Sequence, residues 1–250
     1  EYRMGAAWTD EQFEHIAELH LERGQIESVT EYMSLQQLLN RIEKYAGCEY
    51  GTGCSSAEHR LRSTATTYVD YLNMRRALGY DLTNMIYQYP RNLKTAHDHM
   101  VMESNEKEMD KRLIEVKNKF TGIRKQYRKL RKKYYYEDEE YIIRPARSAE
   151  EIVMEGRLLH HCVGGDTYLS RHDTGTSYIL MLRLKEDADN PYITIEIDAS
   201  NDRIRQWYGA YDKKPDKEHM QEWIDQYVYK LQNNLLAADQ PAVQEVMIPA

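Results

Sequence analysis

Residues 191–198 read PYITIEID, and their alternation decides the fold of the second half of the chain. Ile193, Ile195 and Ile197 point to one face of a predicted strand, while Thr194 and Glu196 point to the other. Two further strand-like segments lie on either side, SYILMLRL (177–184) and RIRQWYGA (203–210). Because short loops separate the three segments, they predict an antiparallel three-stranded meander.

Helices are predicted on both sides of this meander. Ser148 with Glu151 favours a helix start, and this helix is expected to run to about His161. Pro215 and Asp216 begin an amphipathic helix after the third strand. The fold class is therefore α+β, with a helix–meander–helix domain over residues 135–240 and a flexible tail over 241–250.

Residues 1–134 are predicted to form a helical domain. Capping-box patterns occur at Thr9 and Ser34, and Gly47 suits a helix stop. The domain ends in a long basic helix, in which apolar residues recur at heptad spacing: Met109, Leu113, Val116, Phe120, Ile123, Tyr127, Leu130 and Tyr134. This seam needs a partner, which is either a neighbouring helix of the same chain or the same helix of a second copy. Both a monomer and a coiled-coil homodimer are therefore considered.

Composition bounds the class of protein. Hydrophobic residues make up 41% and charged residues 30% of the chain, which is typical of a folded protein with a charged surface. No apolar run approaches the roughly 20 residues of a membrane helix, so no membrane partner is predicted. Three cysteines cannot all pair within one chain, which favours a reducing, cytoplasmic location. The chain starts with Glu1 rather than Met, so a fragment or a processed product is expected.

The charge is distributed unevenly. The net charge is −7, yet residues 107–133 hold 12 Lys/Arg and 3 acidic residues, a local charge of +9. Cations interleaved with tyrosines can track a phosphate backbone, which predicts a nucleic-acid contact. The candidate contact residues are Arg124, Lys125, Arg128, Lys129, Arg131, Lys132 and Lys133. The alternative is a solvated helix face that the acidic remainder of the chain balances.

The stretch GRLLHHCVGGDTYLSRHDTG (156–175) has a purely structural interpretation. Gly164 and Gly165 would give the left-handed stop of one helix, and Asp166 would cap a short helix that Gly175 ends. His160, His161 and Cys162 would then lie in a last helical turn. The carbonyl end of a helix disfavours a thiolate, so Cys162 is not expected to be a simple nucleophile.

Two kinds of site compete with this structural interpretation. Zinc would need three or four ligands, and the candidates near the turn are His160, His161, Cys162, His172 and Asp173. Cys48 and Cys54 form a second, weaker pair. Because neither set has a standard zinc spacing, no cofactor is predicted and zinc remains the alternative. For acid–base chemistry, Glu196, Gln206 and Tyr208 could form the floor of a pocket beside the turn.

Several segments together resemble a known family. They are DYLNMRRALGYDL (70–82), YPRNLKTAHD (89–98), YIIRPARSAEEIVMEGRLLHHCVGGDTYL (141–169), SYILMLRL (177–184), PYITIEI (191–197) and IRQWYGAYDKKP (204–215). From about Tyr68 to Gln232 the chain is similar to the PcfJ-like family, which conjugative plasmids, integrated elements and phages of bacteria encode. The resemblance implies that the motif residues are His161, Cys162, Gly164, Gly165, Tyr168, Glu196, Gln206 and Gly209.

These observations give three functional hypotheses. The first is a nucleic-acid-associated accessory protein of a bacterial mobile genetic element, which binds DNA or RNA through the basic helix and has other mobile-element proteins as partners. The second is an enzyme acting on a nucleotide or nucleic acid, with His161, Cys162, Tyr168, Glu196, Gln206 and Tyr208 as catalytic candidates. The third is an interaction module that dimerises through the heptad seam.

Overall fold

The computed structural model describes residues 9–47 and 55–236, and the chain divides into two compact units, residues 1–109 and 110–250. Helices and an antiparallel sheet make up the structure, so the predicted α+β class is confirmed. Cys48, Cys54 and the predicted tail at 241–250 lie outside the described residues. Over the ranges that are described, every helix is too short or too polar to span a bilayer.

The first unit is helical. Its helices are α1 (Asp10–Leu19), α2 (Arg23–Thr30), α3 (Leu35–Ala46), α4 (Ser55–Leu78), α5 (Met85–Gln88) and the first part of α6 (Leu93–Lys119). The predicted capping boxes at Thr9 and Ser34 are present, and Gly47 ends α3 in the left-handed conformation. These local hydrogen bonds satisfy amides that a helix start leaves unpaired, which is why the boundaries followed from sequence.

The predicted long basic helix is two helices. Phe120 leaves the helical conformation, with φ −110° and ψ 57°, and α7 (Thr121–Tyr134) begins after it. Asp173 explains the break, because its Oδ1 accepts a hydrogen bond from the Ile123 amide at 3.1 Å and so caps α7. A Cβ on Gly122 would lie 2.7 Å from that same oxygen, so the close approach requires glycine.

The apolar residues of the heptad seam pack inside the second unit. From Val116 to Tyr134 its residues are buried, and α7 packs against strand β2 (Tyr141–Pro145) and two helices of the same unit. This part of the seam is therefore not presented to a second chain, and the oligomeric state stays a prediction. Because α7 packs there, it belongs to the unit that begins at residue 110, whereas the sequence placed the division at 134/135.

A five-stranded antiparallel sheet with the order β1-β2-β3-β4-β5 forms the centre of the second unit. The predicted three strands are β3 (Ser177–Leu184), β4 (Ile193–Asp198) and β5 (Ile204–Tyr208). The prediction of only three strands was wrong, because β1 (Tyr136–Glu137) and β2 add a hairpin. The remaining helices are α8 (Ala149–Leu159), α9 (Asp166–Thr174) and α10 (Lys217–Gln232).

Both faces of β4 are covered. Ile193, Ile195 and Ile197 pack in one apolar cluster with α10 residues such as Ile224 and Tyr227. Residues from α8 and α9 contact the opposite face, where Thr194 and Glu196 are also buried. The polar side of the predicted strand is therefore not a solvated face, and each polar group there needs a partner.

A buried ion pair joins α8 to the sheet. Arg183 donates from Nη1 to Glu155 Oε1 at 2.9 Å and from Nη2 to Oε2, and their side chains are 5% and 1% exposed. Thr194 Oγ1 donates to the same carboxylate at 3.1 Å. A bidentate ion pair fixes the relative orientation of its two side chains as well as their distance, so this pair determines where α8 lies on the sheet.

Removing one partner of this pair should be costly. Arg183→Met leaves the Glu155 carboxylate buried without its cation, and we expect the free energy of unfolding to fall by about 3–5 kcal/mol in urea titrations. The matched double variant, Glu155→Met with Arg183→Met, should recover most of that loss, because no charge then remains unpaired. A loss below about 1 kcal/mol in the single variant would contradict a structural role for the pair.

Candidate functional site

The turn between α8 and α9 differs from its prediction. α8 ends at Leu159, and His160 takes the left-handed conformation with φ 53°. The predicted glycine stop at Gly164 and Gly165 is wrong, because Cys162–Gly164 form a short 3-10 turn and Gly165, with φ −75°, precedes α9. The stop at Gly175 is confirmed, with φ 76°. Cys162 therefore lies outside α8, and its expected position in a last helical turn was wrong.

The glycines of this turn permit close packing rather than a left-handed backbone. A Cβ on Gly156 would lie 2.8 Å from the Gly164 nitrogen and 2.9 Å from the His161 carbonyl oxygen. A Cβ on Gly164 would lie 3.0 Å from the Val153 Cα. Only glycine lets the turn press onto α8 at these points, and this holds His161 and Cys162 beside the sheet.

A cavity of about 310 Å³ opens between this turn and the sheet. All of the residues predicted as a catalytic set line it: His161, Cys162, Tyr168, Glu196, Gln206 and Tyr208. The strand register explains the sheet side, since Glu196 lies directly opposite Gln206 and Thr194 lies opposite Tyr208. The structure thus brings the set together, while the catalytic role of its members stays a prediction.

Sequence reasoning missed other lining residues. Asp212 reaches the cavity from the segment after β5, where its φ is 55°, and Thr194 lines the floor. Thr194 could have been found, because it alternates with Glu196 along β4. Asp212 carries no sequence signal, since its position depends on an irregular backbone.

A chain of hydrogen bonds runs across the cavity. Gln206 Nε2 donates to Glu196 Oε2 at 2.9 Å and to the Tyr168 hydroxyl at 3.2 Å. The Tyr168 hydroxyl lies 3.6 Å from Cys162 Sγ, and this hydrogen bond raises the pKa of Tyr168. Tyr168 therefore stays protonated at neutral pH. Because the Tyr168 oxygen accepts from both the Cys162 thiol and Gln206, its own proton is left for a molecule bound in the cavity.

Glu196 anchors this chain. The residue is 3% exposed, and its carboxylate accepts hydrogen bonds from Ser177 Oγ at 2.6 Å and from Arg171 Nη1 at 3.3 Å. Arg205 lies within 3.7 Å of the same carboxylate. Two cations and two neutral donors, one of them Gln206, thus surround Glu196, which suits a residue that positions Gln206 and Tyr168.

The two adjacent histidines occupy different environments. Burial lowers the pKa of His161, so its imidazole is neutral at pH 7. Its Nε2 is buried without a hydrogen-bond partner among the described residues, which leaves it for a molecule in the cavity. His160 instead stacks on the Tyr211 ring with a centroid distance of 4.5 Å, and it does not line the cavity.

Two of the zinc candidates, His172 and Asp173, make hydrogen bonds that hold the fold together. His172 is 0% exposed, and its Nδ1 accepts a hydrogen bond from the Ile179 amide at 3.1 Å. Asp173 caps α7, as described above. In the parts of the chain that the structure describes, no group of three His, Cys, Asp or Glu residues could hold a metal ion.

The cations of α7 fall into two classes. Arg124 pairs with Glu150 at 3.4 Å, Lys133 pairs with Asp202 at 2.7 Å, and Arg131 lies over the Tyr135 ring at 4.4 Å. Four others are exposed, and no described acidic residue pairs with them: Lys125, Arg128, Lys129 and Lys132. Their i, i+3, i+4, i+7 spacing puts them on one side of the helix, opposite buried Ile123 and Leu130. We call these four residues the basic stripe.

Comparisons with known proteins place these features in a family. The model of the PcfJ-like protein family matches residues 67–224, which is more than half of the chain and includes α7 and every cavity residue. An uncharacterized protein of Listeria innocua is 27% identical over 148 residues. That match covers 59% of this chain, and the chain spans about 30% of the relative's length. No solved structure shows a significant match.

Buried His172 predicts an acid-sensitive fold. Burial lowers the pKa of His172 to about 4, from about 6.5 in an unfolded chain. Protons therefore bind the unfolded state more tightly, so the stabilising contribution is complete above pH 6.5 and is lost as pH falls toward 4. The difference is about 3 kcal/mol in the free energy of unfolding.

His172→Asn isolates this contribution, because the Asn carbonyl oxygen can still accept the Ile179 amide. In urea titrations at about pH 7 and pH 4, unfolding free energy should fall less in the variant than in the native protein. Equal losses in the two proteins would contradict the assignment.

Proposed function

The chain belongs to the PcfJ-like family, and we propose that it is a nucleic-acid-binding accessory protein of a bacterial mobile genetic element. The observation that carries the proposal is the basic stripe on α7, whose four cations no described carboxylate neutralises. The genetic setting that the family resemblance implies supplies the mobile element and its cytoplasmic location. Other proteins of the same element are the expected partners.

The basic stripe has the form of a phosphate-binding surface. At a rise of about 1.5 Å per residue, Lys125 to Lys132 span about 10 Å along the helix axis. Duplex DNA carries one charge per about 1.7 Å of its axis, so the four cations can meet several phosphates at once. The opposite face of α7 is buried, which holds the stripe rigidly and lowers the entropy lost on binding.

Replacing the stripe by glutamine should weaken binding. Lys125, Arg128, Lys129 and Lys132 all changed to Gln should lower affinity for an oligonucleotide at least tenfold at about 50 mM salt. The salt dependence should also flatten, with the slope of log K against log[salt] falling by about 3. Fluorescence anisotropy over a salt series measures both quantities.

The matched control is Arg124→Gln with Lys133→Gln, whose cations already pair with carboxylates and whose loss should change affinity less. Absence of binding by the native protein at low salt, or full binding by the quadruple variant, would refute the proposal.

A second candidate function rests on the cavity. One hydrogen-bonded chain joins Cys162, Tyr168, Gln206 and Glu196. The neutral His161 lines the same space, and no described residue makes a hydrogen bond to its Nε2. A thiol with a hydroxyl beside it and a neutral imidazole in reach of a ligand suits nucleophilic chemistry with proton transfer. We propose hydrolysis or group transfer on a nucleotide or nucleic acid, in which the Cys162 sulfur bonds to phosphorus as the phosphate-ester P–O bond breaks and the leaving oxygen takes a proton; water or an acceptor hydroxyl then displaces the Cys162 sulfur.

This candidate predicts a product that depends on one thiol. End-labelled single-stranded and duplex oligonucleotides incubated with the native chain should give a cleaved or transferred product on a denaturing gel. Cys162→Ala should abolish that product, and Cys54→Ser, which removes a different thiol, should not. A product that survives Cys162→Ala, or no product with the native chain, would remove this candidate.

A further inference from the structure

A second cavity, of about 440 Å³, lies between α7 and α8 in the same unit. Its volume falls within the roughly 300–1,000 Å³ of small-molecule sites. It shares no lining residue with the cavity beside Cys162. Its chemistry is different, because arginines and tyrosines dominate the lining.

The cavity has an excess of cations. Arg144 and Arg183 are neutralised, since the first donates to Glu151 at 2.6 Å and the second pairs with Glu155. Arg131 and Arg147 also line the cavity, and Arg147 shares the Glu151 carboxylate with Arg144, since its amide donates to Glu151 Oε2 and its charge acts on the same group. Asp189 is the third acidic lining residue, so four guanidiniums face three carboxylates and one positive charge is in excess. Planar guanidiniums in this state favour a phosphate or another oxyanion.

An apolar wall faces these charges. Tyr127, Met154 and Leu158 line the cavity, and Leu158 leaves 54% of its surface exposed at this point. Tyr135 also lines the cavity, and the Arg131 guanidinium lies over its ring at 4.4 Å in a cation–π contact. A planar aromatic group attached to a phosphate matches both halves of this lining.

The cavity adjoins the basic stripe. Arg131 lies on α7 three residues after Arg128 and directly before Lys132. Residues three apart are neighbours on a helix surface, so a nucleic-acid strand whose phosphate contacts Arg128 can also reach the cavity at Arg131. We propose that the cavity takes one unpaired nucleotide of that strand, with the base on the apolar wall and the phosphate near Arg131 and Arg147.

This inference rests on the proposed nucleic-acid binding and names its substrate class as single-stranded. A base within a duplex is stacked and paired, so it cannot enter the cavity unless the duplex opens. A base on an apolar and aromatic wall contributes affinity whatever its identity, because every base has a π face.

Three probes test the inference by fluorescence anisotropy at about 50 mM salt. They are an oligonucleotide of about 12 residues, its duplex, and the same strand with abasic positions in place of several bases. The native chain should bind the intact strand about tenfold more tightly than the duplex or the abasic strand.

Two surface variants report on the cavity. Arg147→Gln and Leu158→Ala change the cavity lining, so each should lower the affinity for the single strand toward the value for the duplex. Both residues lie outside α7, so the affinity for the duplex should not change. Arg157→Gln is the matched control, because Arg157 is an exposed α8 arginine that does not line the cavity.

The outcomes separate the inference from the proposed function. Equal affinity for all three probes, or a single-strand preference that survives both cavity variants, would overturn the inference while leaving stripe-dependent binding in place. Failure of every probe to bind would overturn the proposed function and the inference with it.

Discussion

Burial of the polar face of β4 is the constraint on which the second unit depends. Thr194 and Glu196 alternate with the core isoleucines, so a sheet covered on both sides forces them away from water. A carboxylate in that position is tolerated only with hydrogen-bond donors and cations around it. Arg171 on α9 donates to Glu196, and Glu155 on α8 accepts from Thr194, so the interactions that satisfy the polar groups of β4 also position both helices. The cavity beside Cys162 is the space left between those helices and the strands.

The ion pairs of the folded chain, and not only the number of Lys and Arg residues in a segment, decide where unpaired positive charge lies. A run of cations on α7 is visible in the sequence, but ion pairs with Glu150 and Asp202 neutralise two of them, Arg124 and Lys133. What remains lies opposite the buried face of the helix, in a chain whose net charge is −7. Under the proposed nucleic-acid binding, the negative charge of the rest of the chain repels polyanions and so favours contact at the basic stripe.

Local signals in the sequence predicted most of the fold. The alternation of isoleucines predicted β4. The capping boxes at Thr9 and Ser34 predicted two helix starts, because each box joins side-chain and backbone groups only three residues apart. The break at Phe120 was not predictable, since its cap comes from Asp173 about fifty residues later. Strand alternation and the family resemblance together identified the cavity set, but the bonds from Ser177 and Arg171 to Glu196 depend on tertiary packing.

The stacked pair of His160 and Tyr211 couples two walls of the cavity beside Cys162. Both residues have a positive φ, which is costly for side chains that carry a Cβ. One precedes His161 and Cys162, and the other precedes Asp212, so each supports a different side of the opening. The contact between the rings stabilises both turns in these conformations. The stacked rings therefore tie the position of Asp212 to that of His161 and Cys162, although these residues are about fifty positions apart in the chain.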